Sequence, residues 1–158
     1  MPGRFTVRLI GGFDVRRDGE PVDLPPSCQR VIALAALAGR PVHRAAACAQ
    51  LWPDVPVRSS SARLRTTLWR LRPFGAEGLV SIDAQSISLA GDVHVDWRRA
   101  VELCELLLAS SVPDAAVIEE LSPMLAAGAL LDGWSEQWHG KECTRYHGLR
   151  MSALDRLA

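Results

Sequence analysis

The hydrophobic period of this chain changes from two residues to between three and four, and back again, and few folds accept that order of segments. Phe5, Val7 and Leu9 alternate with Thr6 and Arg8, the mark of a strand with one buried face. Gly11-Gly12 breaks the run, Phe13 and Val15 resume it, and Asp18-Gly19 supplies a tight hairpin turn. Val22 and Leu24 then alternate in a short strand that Pro25-Pro26 ends. From Ser27 the apolar residues recur at helical spacing (Val31, Leu34, Ala35, Ala38), and Gly39 stands where a helix stops. A second, short helix is expected over 43–52, with Ala47, Cys48, Leu51 and Trp52 as its buried stripe. The prolines of 53–58 make a loop, and Ser59, Ser60 and Ser61 offer caps for a third helix reaching Arg72. Val80 and Ile82, then Ile87 and Leu89, alternate around the polar turn Asp83-Ala84-Gln85-Ser86, which predicts a β-hairpin.

Beyond Asp96 the pattern is helical throughout. Trp97, Ala100, Val101, Cys104, Leu107 and Leu108 form one amphipathic stripe. A further helix is expected over 114–121, interrupted by Ser122-Pro123, and a last one over 134–157 carrying Trp134, Trp138, Leu149, Ala153 and Leu157. The fold class is therefore α+β: an N-terminal antiparallel sheet plus a winged helix-turn-helix over 1–96, then an all-α partial domain over 97–158.

Composition narrows the function. The 158 residues carry zero net charge, which argues against bulk polycation binding, but the charge is unevenly placed. Twelve arginines face nine acids up to Trp97, and six basic residues face nine acids afterwards. Arg58, Arg63, Arg65, Arg70 and Arg72 follow one another with no acid between. No apolar run is long enough for a transmembrane helix, and Met1-Pro2-Gly3 runs straight into a strand, so the chain reads as cytoplasmic and without membrane contact. Cys28, Cys48, Cys104 and Cys143 are far apart and read as buried thiols.

The third helix carries the chemistry. Leu64, Leu68 and Leu71 share one face and anchor it, while Arg63, Thr66, Thr67 and Arg70 sit largely opposite, with Arg65, Trp69 and Arg72 on a flank. A recognition helix needs this layout, because the arginine fork matches guanine O6 and N7 and threonine meets base methyls. Arg63, Arg65, Thr66, Thr67 and Arg70 are therefore the candidate major-groove residues, and Arg58, Ser60, Trp69 and Arg72 the candidate phosphate contacts. Gln85 and Ser86 are the wing candidates, the turn having no arginine. The alternative is a solvated arginine face, but such a face ordinarily mixes signs.

Several stretches resemble a known family. Val7-Arg8-Leu9-Ile10-Gly11-Gly12-Phe13, Gln29-Arg30, Leu51-Trp52-Pro53-Asp54 and above all Leu64-Arg65-Thr66-Thr67-Leu68-Trp69-Arg70-Leu71-Arg72 are similar to the antibiotic regulatory proteins of streptomycetes. Leu130-Leu131-Asp132-Gly133-Trp134, Trp138, Glu142, Arg145 and Leu149-Arg150 resemble the start of that family's second domain. The resemblance implies an OmpR-type winged helix over 1–96 and a shortened, tetratricopeptide-like bacterial transcriptional activator domain over 97–158. It further implies binding to double-stranded DNA at promoter direct repeats and recruitment of RNA polymerase, with Asp54, Val55 and Val57 in the polymerase-contact loop. Arg63 stands where the family has a small polar residue, and the family's second domain runs on for several more helices.

Other chemistry is weak. His139, Cys143 and His147 recur every four residues, but a structural zinc site needs a fourth, separate ligand, so no metal and no cofactor are expected. No nucleophile elbow, phosphate loop or HExxH pattern occurs, so no enzyme is expected. The competing readings are a winged helix that binds protein, and a repressor without activation function. The apolar set Trp134, Trp138, Tyr146, Leu149 and Leu157 suggests a homodimer through the terminal helix, since two helix pairs alone would leave it in water.

Overall fold

The computed structural model describes residues 4–158, and Met1–Gly3, with the start of the N-terminal reading, lie outside the described residues. The described residues separate into two compact units, 4–7 with 14–94 and 8–13 with 95–158.

The first unit opens with strands β1 (Phe5–Arg8), β2 (Asp14–Arg17) and β3 (Glu20–Pro21). β2 and β3 pair antiparallel, Arg16 opposite Pro21 and Arg17 opposite Glu20. Their turn has φ of 51° at Asp18 and 83° at Gly19, the left-handed pair that a two-residue hairpin needs. β3 forms two residues before the Val22–Leu24 alternation that predicts it, although the Val22 N–H still donates to the Val15 carbonyl at 2.8 Å. A four-stranded sheet results, in the order β3-β2-β1-β7, where β7 is the two-residue strand His94–Val95.

Three helices follow: α1 (Pro26–Ala38), α2 (Arg44–Leu51) and α3 (Val57–Trp69). α1 ends at Gly39, whose φ of 65° is the expected left-handed cap. Its Cys28, Val31, Ile32, Leu34 and Ala35 are buried, so α1 is the central helix of this unit. Residues 29 and 30 act structurally. Gln29 donates to the Leu24 carbonyl at 2.9 Å, and Arg30 donates to the Leu51 carbonyl at 2.6 Å, where a cation complements the C-terminus of α2. The hairpin forms as expected from β5 (Val80–Ile82) and β6 (Ser86–Leu89), in register Val80 opposite Leu89 and Ile82 opposite Ile87. β4 (Val42–His43) adds to its free edge, Val42 opposite Ile87 and His43 opposite Ser86, giving a three-stranded sheet β4-β6-β5. Sheet, helices and β-hairpin wing make this a winged helix.

The second unit contains α4 (Asp96–Ala109), α5 (Ala115–Ala126) and α6 (Gly140–Leu157). Trp97, Ala100, Leu103, Cys104 and Leu107 of α4, Leu121 and Leu125 of α5, and Tyr146 and Ala153 of α6 form its core. α5 begins at a working cap, the Asp114 carboxylate accepting the Ala116 N–H at 2.9 Å, and it runs through Pro123 instead of stopping there. Segment 8–13, which the sequence pattern assigned to the sheet domain, belongs to this unit. The half-buried Asp96 carboxylate accepts the N–H groups of Leu9 at 2.8 Å and Ile10 at 3.2 Å, and Leu131 N–H donates to the Leu9 carbonyl at 2.7 Å. Gly11, with φ of 81°, makes the close approach here, since a Cβ would lie 2.5 Å from the Ala127 carbonyl oxygen.

Candidate nucleic-acid interface

α3 starts two residues before the serines expected to cap it. Pro56 is the N-cap residue, its carbonyl accepting the Ser60 N–H at 2.9 Å, and no side chain caps the helix. The preceding loop is accordingly shorter than the sequence pattern suggested, and Val57 belongs to the first helical turn. Asp54 is exposed, Val55 is half-buried, and Val57 is 77% exposed, the most exposed large apolar residue of this unit.

At 100° per residue, Ser60, Leu64, Thr67, Leu68 and Leu71 fall on one arc, and all five are buried. Two candidate DNA contacts are thereby withdrawn. The Ser60 hydroxyl donates to the Val57 carbonyl at 3.0 Å, and the Thr67 hydroxyl donates to the Arg63 carbonyl at 2.8 Å. The Thr67 carbonyl also accepts from the Cys28 thiol at 3.4 Å. Thr67 lies three residues after Leu64 and four before Leu71, so it had to share the leucine face. Burial pushes the Cys28 thiol up, and the nearby Arg70 charge partly opposes that.

The remaining candidates share the exposed arc. Arg63, Arg70, Ser59 and Thr66 lie toward one edge, Arg58 and Arg65 toward the other, and Ala62 and Trp69 between. No ion pair to a carboxylate occupies Arg58, Arg63, Arg65, Arg70 or Arg72 among the described residues. Arg63 and Arg70 are seven residues apart, a rise of about 10 Å, which spans about three base steps of a duplex strand. Along their edge runs a groove of about 490 Å³ lined by Ser27, Trp52, Ser59, Ala62, Arg63, Thr66, Thr67 and Arg70, with no acidic residue in its wall. Arg70 is the helix C-cap, and a 3-10 turn, Arg72–Phe74, follows. The Arg72 guanidinium lies 4.1 Å from the centre of the Trp69 ring, while Trp69 itself is 62% exposed.

The wing turn is held by an acid. The Asp83 carboxylate accepts the N–H groups of Gln85 at 2.8 Å and Ser86 at 2.7 Å, and the Ser86 hydroxyl at 3.1 Å. Those two N–H bonds hold its carboxyl below the usual range. Gln85 is exposed and Ser86 half-buried, so of the two wing candidates only Gln85 presents its side chain fully. Arg44, which the sequence pattern left out, contacts the turn from α2. Its N–H donates to the Gln85 carbonyl at 2.8 Å and its guanidinium to the Asp83 carbonyl at 3.2 Å.

In the second unit, α6 begins at Gly140, so Trp134 and Trp138 lie in the preceding turn and not on the helix. Residues 134–139 form loop and turn where the first turns of the last helix are expected, and Gly133, with φ of 87°, lies just before them. Trp134 packs against Phe13 at 5.7 Å and Trp138 at 6.4 Å between ring centres, and Tyr146 is 1% exposed. The apolar set that argued for a homodimer is therefore largely covered within the unit. His139 Nδ1 lies 3.3 Å from Cys143 Sγ and its Nε2 accepts the Glu136 N–H at 3.0 Å, which occupies both ring nitrogens, while His147 is exposed. Among the described residues no group of three His, Cys, Asp or Glu side chains is placed to hold a metal ion. No helix among them is long and apolar enough to cross a membrane.

Among solved structures, the chain is similar to EmbR of Mycobacterium tuberculosis, determined in complex with a low-affinity phosphopeptide. The TM-score is 0.71 at 22% sequence identity, over 96% of this chain and 44% of that one. The two share a fold, and this chain spans less than half the length of that structure. No family model and no curated protein sequence matches the chain.

Proposed function

We propose that this chain is a sequence-specific DNA-binding regulator of transcription that reads the major groove with α3. The observation that carries the reading is the exposed arc of α3. It presents Arg58, Arg63, Arg65 and Arg70 with no acidic partner, on a helix fixed by Leu64, Leu68 and Leu71 and set between a short helix and a wing. A planar fork with no internal partner is suited to bidentate pairing with guanine or phosphate. Arg63, Arg65, Thr66 and Arg70 are the base-reading residues in this account, and Arg58, Trp69 and Arg72 hold the backbone.

We further propose that the chain belongs with the antibiotic regulatory proteins it resembles in sequence, with 4–7 and 14–94 as the DNA-binding domain and 8–13 with 95–158 as a partial activator domain. On that reading it binds promoter direct repeats and contacts RNA polymerase through Asp54, Val55 and Val57. Selection of binding fragments from genomic DNA, followed by a footprint, tests the DNA reading. A protected tract shared by the selected fragments is expected, and no selection above random duplex would refute it. The exposed apolar surfaces of Val57, Trp69 and Phe74 favour the second reading, a protein-binding winged helix. That reading requires a partner captured by the wild type and lost on Trp69→Ala, with no DNA affinity.

A further inference from the structure

The turn of the wing contains no basic residue, and its one charged side chain is the Asp83 carboxylate. An acid at that place is unfavourable beside a phosphate backbone. The structure brings a cation to it from a distant part of the sequence. Pairing of β4 with β6 sets His43 opposite Ser86, and Arg44, the first residue of α2, follows directly. Its backbone and guanidinium both bond to turn carbonyls, as described above, so the charge is fixed against Asp83. One guanidinium nitrogen is used in this way, and the others have no protein partner among the described residues. The side chain is half-buried.

On the reading that α3 enters the major groove, we infer that Arg44 is the wing's phosphate-binding residue, supplied to the hairpin by α2. A recognition helix in the major groove carries the adjacent hairpin over the neighbouring stretch of backbone, where this guanidinium has free donors to offer. The contact is to phosphate and not to a base, because the clamp on the Asp83 carbonyl holds the fork at the rim of the turn. Such a contact fixes register without carrying sequence information. Arg44 and Asp83 then act with opposite sign on affinity.

The test is fluorescence anisotropy of the full chain with two labelled duplexes, one selected from random sequence by the wild type and one of arbitrary sequence, over a series of salt concentrations. Arg44→Ala should weaken both by a similar factor, about tenfold at low salt, and lower the salt slope by about 0.9. Arg44→Lys should recover the slope, and Asp83→Asn should tighten both complexes. If Arg44→Ala leaves affinity and slope unchanged while Arg65→Ala weakens the selected duplex, the inference fails and the recognition helix stands. If neither variant changes anything, the recognition helix fails as well. Loss confined to the selected duplex would make Arg44 a base reader and overturn the phosphate assignment. Should Arg44→Ala fail to fold, Asp83→Asn decides, since unchanged or weaker binding then refutes the inference.

Discussion

Replacing Asp96 with alanine should destabilise the second unit by about 2–6 kcal/mol. The estimate follows from two buried donors: the N–H groups of Leu9 and Ile10, residues 0% and 1% exposed, bond only to this carboxylate across the unit's first turn. An orphaned buried N–H costs about 1–3 kcal/mol, and total domain stability is usually about 5–15 kcal/mol, so the variant would lose a large share of its margin. Asp96→Asn keeps one acceptor but turns an amide NH2 toward the other N–H, and should cost about half as much. Urea denaturation followed by tryptophan fluorescence is the assay, because Trp97, Trp134 and Trp138 all lie in this unit. The pH dependence adds a second arm. Burial raises the Asp96 carboxyl above its ordinary range, outweighing the N–H bonds from Leu9, Ile10 and Trp97 that lower it. A raised folded value means the contribution is full below the unfolded carboxylate range, about 4, and is lost as pH rises through the folded value. The gap between wild type and Asp96→Asn should therefore narrow as pH is raised from about 4. A loss below about 1 kcal/mol for Asp96→Ala would show that both donors find other partners. A gap that widens with pH would show that the N–H bonds outweigh burial.

Four further outcomes are expected. Leu64→Ala, at a position 1% exposed, should cost about 2–5 kcal/mol in stability, and its DNA affinity should fall only as the folded fraction falls. Thr67→Val, which removes a hydroxyl facing the helix interior, should leave DNA affinity within about twofold by anisotropy, whereas a larger loss would return Thr67 to the interface. Asp54→Ala and Val57→Ala should leave DNA binding unchanged and lower transcription in a reconstituted assay, and equal loss of both would place these residues in the DNA interface. Trp138→Ala should leave sedimentation behaviour unchanged, because its ring packs within its own unit.

What the sequence disclosed was local. The 80–89 hairpin was legible because two alternating runs flank a polar turn, and α4 because its apolar stripe has one consistent period. The errors have physical causes of two kinds. Thr67 looks like a base reader and Ser60 like a phosphate contact by chemistry, but helical geometry at 100° per residue places both with the leucines. Ser59–61 look like caps, yet the prolines before them fix the entry of the chain and start the helix at Val57. The other losses are long-range. β4 and β7 are two residues each, too short to show any period, and exist only through pairing with distant strands. Arg44 therefore could not be assigned to the wing, nor 8–13 to the helical unit, from neighbouring residues alone. The tryptophan spacing likewise extends the last helix back to Trp134, whereas the ring packing of Trp134 on Phe13 and Trp138 belongs to a loop and the helix starts at Gly140.

The central claim is that the exposed arginine arc of α3 reads DNA. Its most direct measurement is the affinity of a selected duplex for the chain carrying alanine at Arg63, Arg65 and Arg70, with circular dichroism establishing that the variant is folded. Each base-reading arginine is worth about 1–3 kcal/mol of discrimination, so the triple variant should bind selected and arbitrary duplexes alike, with the preference of the wild type abolished. A folded triple variant that still prefers the selected duplex as the wild type does would contradict the account.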